Sequence, residues 1–382
     1  TTFPLKLRIP EWCKNPQIAV NGKALSNVKT GQVYTISRSW NSKDEVVLNF
    51  PMEIKVSDQV NQSVTVERGP LVYGLQMDAK YSIRKKHPVE GFFDYEVSSA
   101  SPWNYGLVID RKNLAGSIKV QNTAMPENPF IQATTPVKLK VSAKKIPSWT
   151  MAYNKMHAFE VPRSPIASSE QTEEITLTPF GSENIRISNF PVIGAPESPR
   201  KLFKENFDNA TVKDWLLYGG SWFIKDGAIH AASNKGSWGY GIHGSKAMAS
   251  STMFKDLSYE ATVQLNSKGN AGLVFRVTDA VLGADMYKGY YLGIDAETGT
   301  IQLGKSSDQK WVALASEQQK LEIGKAYKVK IEAKGSDIKV YFNGSEKPLI
   351  AVKDSEFKSG MIGVRAYDSV ASIDNLLVKE VK

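Results

Sequence analysis

Five residues in the distal half carry the side-chain types that hold a polyhydroxylated ligand: Glu260, Arg276, Tyr291, Arg365 and Tyr367. A guanidinium offers five N–H donors in a fixed fork, a carboxylate accepts hydroxyl protons, and an aromatic face covers the apolar side of a sugar ring. Their strands set their direction. In AGLVFRV, Leu273, Phe275 and Val277 are the core-forming set, which turns Arg276 outward. In GMIGVRAY, Ile362, Val364 and Ala366 turn inward and Arg365 and Tyr367 outward; in SYEATVQL, Tyr259, Ala261 and Val263 turn inward and Glu260 outward. If these strands share one concave sheet, the four outward residues form a polar glycan site with Tyr291 beside them. The structural alternative is a set of outward salt bridges and ordinary sheet-face aromatics.

Other chemistry is sparser. Asp208 and Asp374 lie at opposite ends of the distal segment, and chain ends that meet would let these two carboxylates, with backbone carbonyls, hold a structural calcium ion. Glycoside hydrolysis needs two carboxyl groups about 5 to 9.5 Å apart. Glu260, Asp295 and Asp374 are available, but none sits in a paired catalytic motif. His87, His157, His230 and His243 form no HExxH or other ligand spacing. Cys13 is the only cysteine, which excludes an internal disulfide and any multi-cysteine metal site, and it reads as a buried structural thiol.

The elements that must position these groups read as strands. The chain has 382 residues, of which 41% are hydrophobic and 23% charged, enough for two or three domains with real cores. The net charge of +9 is dispersed, with Arg84-Lys85-Lys86 as the longest basic run, so nucleic acid is a poor partner. No apolar run reaches the length of a membrane-spanning helix, and no secretory signal opens the sequence. Short alternating runs such as LKLRIP, QIAVNGKAL, VYTISRSW and EVVLNFPMEIKV succeed one another, and Asn21-Gly22 is a hairpin signal. Arg68-Gly69-Pro70 marks a bulge or bend. Pro191, Pro196 and Pro199 interrupt regular structure before the pattern changes to evenly spaced, glycine-rich strands. This predicts units at 1–79 and 80–195, a linker at 196–202, and a third unit at 203–382. Because the chain opens in mid-strand, it also predicts residues upstream.

LRIPEW, the Asn-Gly turn, ISRSW, VVLNFPM, VERGPLVYGL, SPWNYGL, KKIPSW and TLTPFGSENIRISNFP together resemble the carboxyl-terminal β-sandwich region of the glycoside hydrolase family that includes bacterial β-L-arabinofuranosidases, over residues 1–193. In that family an (α/α)6 barrel carries a cysteine nucleophile and a zinc site. The resemblance therefore implies an upstream catalytic barrel, to which nothing in this chain corresponds, and it transfers no nucleophile role to Cys13. It also leaves the first sandwich without its early strands.

The distal segment resembles concanavalin-like and laminin-G-like jelly rolls through FDN at Phe207–Asn209, GSWFIKDGAIHA, NAGLVFRV, KGYYLGIDAETGTIQL, IKVYFNG, FKSGMIGVRAY and SIDNLLV. The expected fold is all-β: tandem antiparallel β-sandwich units followed by a concanavalin-like jelly roll. The expected role is a non-catalytic accessory and carbohydrate-binding region of a polysaccharide-degrading hydrolase, with a plant or microbial polysaccharide or oligosaccharide as partner. Periplasmic, cell-surface or secreted placement follows from the resemblance. No cofactor is required. The alternatives are a structural or protein-interaction scaffold, and a glycoside hydrolase with a carboxylate site elsewhere.

Overall fold

Alternating apolar residues and tight turns give an almost all-β chain. A computed structural model describes residues 1–151, 158–195, 201–209, 215–233, 245–250, 252–283, 285–307 and 310–381. The chain divides into two compact units, one of residues 1–59, 63–146 and 164–195, the other of 60–62, 147–163 and 196–382. Residues 196–200 of the expected linker, and His157 and His243, lie outside the described residues.

The first unit holds two cores. Strands Thr2–Arg8 and Val33–Ser39 pair, as do Gln17–Val20, Lys23–Ala24 and Val46–Asn49, around Ile9, Ile18, Val20 and Ile36. Asn21 and Gly22 adopt φ of 50° and 76°, the left-handed pair that a two-residue hairpin requires. Cys13 is fully buried and unpaired. The second core is built on a seven-stranded sheet in which Ile54–Asp58, Val64–Arg68 and Leu71–Leu75 join Val137–Lys145 and Thr172–Pro179. The change of core thus falls between Phe50 and Ile54, because Leu75 pairs with Leu177, across the position where the sequence suggested a break at residue 79. Arg68-Gly69-Pro70 is a hairpin turn in which Arg68 pairs with Leu71.

The second unit is a two-sheet antiparallel sandwich. Its front sheet runs, in spatial order, Trp215–Tyr218, Ser245–Ala249, Met361–Tyr367, Asn270–Thr278, Lys288–Asp295, Thr300–Ser307 and Lys310–Gln318. The back sheet runs Ser221–Lys225, Ala228–Ser233, Ser369–Glu380, Leu257–Leu265, Ala326–Lys334, Asp337–Phe342 and Ile350–Lys353, with Leu202–Glu205 also on Ser369–Glu380. Alternate residues of both sheets fill one core: Leu273, Phe275, Ile362, Val364 and Ala366 from the front, Tyr259, Ala261, Val263, Ile373 and Val378 from the back. Burying each leucine, isoleucine, valine or phenylalanine of this core is worth about 1.5–3 kcal/mol. Tyr259 donates its hydroxyl to Gly363 O across the core at 3.0 Å, and burial raises its pKa. Phe207 and Trp215 close the core and Trp222 packs against it, whereas Phe223 stays exposed and stacks on His230.

Candidate functional site

The outer face of the front sheet carries the candidate site. Strand pairing aligns Tyr218, Lys246, Arg365, Gly272, Gly293 and Gln302 in one row across six strands. A second row places Tyr367 beside Asn270, Asp295 and Thr300. The two glycines leave the middle of the first row without side chains. The Tyr291 ring fills that space: a Cβ on Gly293 would lie 2.6 Å from Tyr291 Cε1.

From there Tyr291 reaches Asn270, donating its hydroxyl to Oδ1 at 2.8 Å. Arg365 lies over this ring, its guanidinium carbon 4.4 Å from the centroid, with the Tyr367 ring at 5.7 Å. Its Nη2 bonds Asp285 Oδ1 at 2.9 Å. Burial pulls the Arg365 pKa down, but the facing Tyr287, Tyr291 and Asp285 outweigh it and raise it, so the group is a fixed cation. Burial likewise pushes the Tyr291 hydroxyl up to about 12. Trp311 stands against Tyr291 at 6.0 Å, edge to face, and its ring lies over Gly304 of the neighbouring strand, where a Cβ would come within 2.4 Å of it.

These groups line a groove of about 420 Å³ together with Asp295, Thr298 and Gln302. Its chemistry is mixed: an oriented cation, two carboxylates, amides and hydroxyls, and half-buried Trp311 and Tyr367. Such a surface can exchange hydrogen bonds with neutral hydroxyls while an aromatic ring covers a C–H face. Asp295 Oδ1 is already engaged by the amides of Glu297 and Thr298.

Three of the five residues named from the sequence, Tyr291, Arg365 and Tyr367, meet in this groove. Arg276 does not. A bulge between Phe275 and Thr278 puts Arg276 at φ 50° and reverses the alternation beyond it. The side chain is 1% exposed and donates to Lys255 O, Gly335 O and Phe357 O while pairing with Asp256 at 3.2 Å. Val277, expected in the sandwich core, joins Val274 and Tyr287 in the outer cluster of the front sheet. Glu260 is outward as expected but belongs to the back sheet, in a separate groove of about 740 Å³ with Lys330, Glu332 and Tyr341.

Asp208 and Asp374 do come together, since Leu202–Glu205 pairs with Ser369–Glu380. Burial and then the Asp208 charge raise the Asp374 pKa. Asn206 Nδ2 already donates to Asp208, and Asn375 Nδ2 to Asp374. A calcium ion takes six to eight oxygens, of which this pair supplies a fraction. Among the described residues no group of three or more His, Cys, Asp or Glu could hold a metal.

Sequence reasoning missed Trp311, Asp285, Asn270, Gln302 and Lys246. Trp311 and Gln302 were legible as polar or aromatic residues on strands; Asp285 lies on a connecting segment that no periodicity places.

Comparison with known proteins divides the chain near the same positions. Residues 202–379 match a family described as a 3-keto-alpha-glucoside-1,2-lyase-like domain, and residues 1–52 match the middle domain of GH127 beta-L-arabinofuranosidases. This corrects the resemblance read from the sequence. The arabinofuranosidase match stops at residue 52 and concerns the middle domain, not a carboxyl-terminal region reaching residue 193, and the distal half matches the lyase-like domain instead. Two curated relatives are levanases, from Bacillus subtilis strain 168 (25% identity over 37% of this chain and 21% of that protein) and Bacillus sp. strain L7 (24% over 49% and 19%). The chain thus spans about a fifth of the length of either levanase. Similar solved structures include the carbohydrate-binding module CBM66 from Bacillus subtilis (22% identity, 44% of this chain and 96% of that one, TM-score 0.39) and a Bacillus licheniformis beta-glucanase (10%, 48% and 100%, TM-score 0.38). Residues 202–379 are therefore similar to a 3-keto-alpha-glucoside-1,2-lyase-like domain, and part of the chain is similar to part of two levanases.

Proposed function

We propose that residues 202–379 are a non-catalytic glycan-binding module of concanavalin-like jelly-roll type, attached to a polysaccharide-degrading glycoside hydrolase. The observation that carries this reading is the Arg365 fork, fixed over Tyr291 by Asp285 at the floor of a groove whose mouth holds Trp311 and Tyr367. Orienting the guanidinium before binding lowers the entropy a ligand must otherwise offset. The levanase relatives make a fructan the first ligand to try. As a module of a hydrolase that acts on external polysaccharide, it would work outside the cytoplasm, in the periplasm, at the cell surface or secreted.

Calorimetric titration with levan oligosaccharides, and with arabinan and gluco-oligosaccharides as comparators, tests the reading. Trp311→Ala and Tyr367→Ala should each weaken binding at least tenfold, about 1.4 kcal/mol, with unchanged circular dichroism. Saturable binding that neither variant alters would move the site elsewhere, and no binding to any glycan would favour a scaffold. A catalytic reading is favoured by the lyase-like family match together with Asp285 and Asp295, both of which line the groove. Its test is incubation with a 3-keto-α-glucoside; release of free sugar, lost in Asp295→Asn, would replace the non-catalytic reading.

A further inference from the structure

Lys246 is fully buried on the same face as the groove and is the direct cross-strand neighbour of Arg365. Two cations side by side on adjacent strands repel, and here one segment holds both. Residues 280–283 and 285–287 cross the front sheet between strands Asn270–Thr278 and Lys288–Asp295. The Lys246 ammonium donates to Val281 O at 2.7 Å and Gly283 O at 2.5 Å. Two residues on, Asp285 holds Arg365, and Ser306 Oγ donates to Asp285 O at 2.5 Å. The segment is a strap tied down at successive points, and one of those ties sets the direction of the Arg365 fork.

Polar atoms under and beside the strap are not otherwise satisfied. The Tyr218 and Tyr287 rings lie 5.4 and 5.6 Å from the Lys246 ammonium, and among the described residues the hydroxyls of both are buried without a partner. A buried unsatisfied hydroxyl costs about 1–3 kcal/mol, a penalty that the bonds from Lys246 and Arg365 to the strap help to offset. Those from a protonated amine are charge-assisted, roughly twice as strong as neutral ones.

We propose that Lys246 is a positioning residue of the glycan groove: its ammonium clamps the strap, the strap keeps Asp285 on Arg365, and ligand affinity falls when the clamp loses its proton. The proposal rests on the glycan-binding reading of the groove. Burial and then Arg365 lower the Lys246 pKa to about 7, while Glu160 and Asp285 work the other way. Glu160 is itself raised to about 7 by burial, with Asp279 adding to the rise, and Asp279 is paired with Lys288 at 3.0 Å. The groups facing the ammonium are therefore Arg365, Glu160, Asp285 and the two phenols, and of these Glu160 titrates in the same range.

Two measurements on the full chain test this. The first needs no ligand: hydrogen exchange of the strap amides, corrected for intrinsic rates, at about pH 6 and about pH 8. Strap protection should fall at the higher pH and in Lys246→Met at both, while strands Leu257–Leu265 and Ala326–Lys334 keep theirs. In Glu160→Gln the midpoint should move to lower pH, since the charge that supports the ammonium is gone. Unchanged strap protection across pH would overturn the clamp. The second is affinity for levan oligosaccharides over the same range, which should drop by up to about tenfold if only the protonated form binds well. PH-independent affinity with a pH-dependent strap would refute the positioning role. If levan binds at no pH while the strap responds as described, the glycan reading fails and the clamp stands. Should Lys246→Met fail to fold, the wild-type pH profile still decides.

Discussion

Gly293→Ala adds one methyl group to the floor of the groove, and the structure fixes what it meets. The new Cβ would lie 2.6 Å from Tyr291 Cε1, 2.8 Å from Cζ and 2.7 Å from the hydroxyl oxygen. The ring must withdraw by roughly 1 Å to restore ordinary contact. Gly293 sits in a strand and is not among the residues of positive φ, so the alanine itself brings no backbone strain. Two interactions depend on where the ring now lies, the hydrogen bond to Asn270 and the stack under Arg365. Losing the first costs about 1 kcal/mol and weakening the second about 1 kcal/mol more. Replacing glycine within a strand returns about 0.5–1 kcal/mol. The expected net loss is about 1–1.5 kcal/mol, or about 4 °C in the melting temperature of a domain this size. Thermal denaturation followed in the near ultraviolet reads both the loss and the displaced tyrosine, and affinity for levan oligosaccharides should fall about tenfold with the fork unsupported. A variant with the melting temperature, aromatic circular dichroism and affinity of the wild type would refute the idea that the glycine exists to seat Tyr291.

Arg276→Ala should leave Asp256 without its cation and three backbone carbonyls without donors, destabilising the sandwich by roughly 3 kcal/mol in urea denaturation; glycan affinity of the folded variant should be unchanged, and a selective loss of affinity would return Arg276 to the binding surface. Asp374 has a folded pKa above its unfolded value, so its contribution to stability is best at low pH and declines as pH rises past the ordinary aspartate range. Asp374→Asn should therefore raise stability at neutral pH by a few tenths of a kcal/mol, about 0.5 at most given its partial exposure, when measured in a chelator. If calcium joins Asp208 and Asp374, millimolar calcium should stabilise the wild type and erase that difference; a difference that calcium leaves untouched would remove the cation from this pair.

How far the site was legible follows from how each strand behaves. In Met361–Tyr367 the alternation is unbroken, so parity alone sent Ile362, Val364 and Ala366 to the core and Arg365 and Tyr367 to the outer face. The same rule applied to Asn270–Thr278 failed at Arg276, because one inserted residue in left-handed conformation turns every later side chain over. Nothing local in FRVT announces that bulge. Glu260 shows a different limit: its parity was right, yet parity is defined within a strand and is silent on which of two sheets the strand enters.

Hydrophobic period, turn residues and composition, which are local along the chain, determined the all-β class, the Asn21-Gly22 hairpin, the burial of Cys13 and the outward pair Arg365 and Tyr367. Only the tertiary structure decided that Lys246, Arg365, Gly272 and Gly293 form one row, that Asp285 reaches Arg365 from 80 residues away, and that Arg276 is a buried brace. Those facts depend on strand order and register between segments far apart in sequence. Such pairings are fixed by the summed burial of a whole sheet face, a sum that no single stretch of sequence contains.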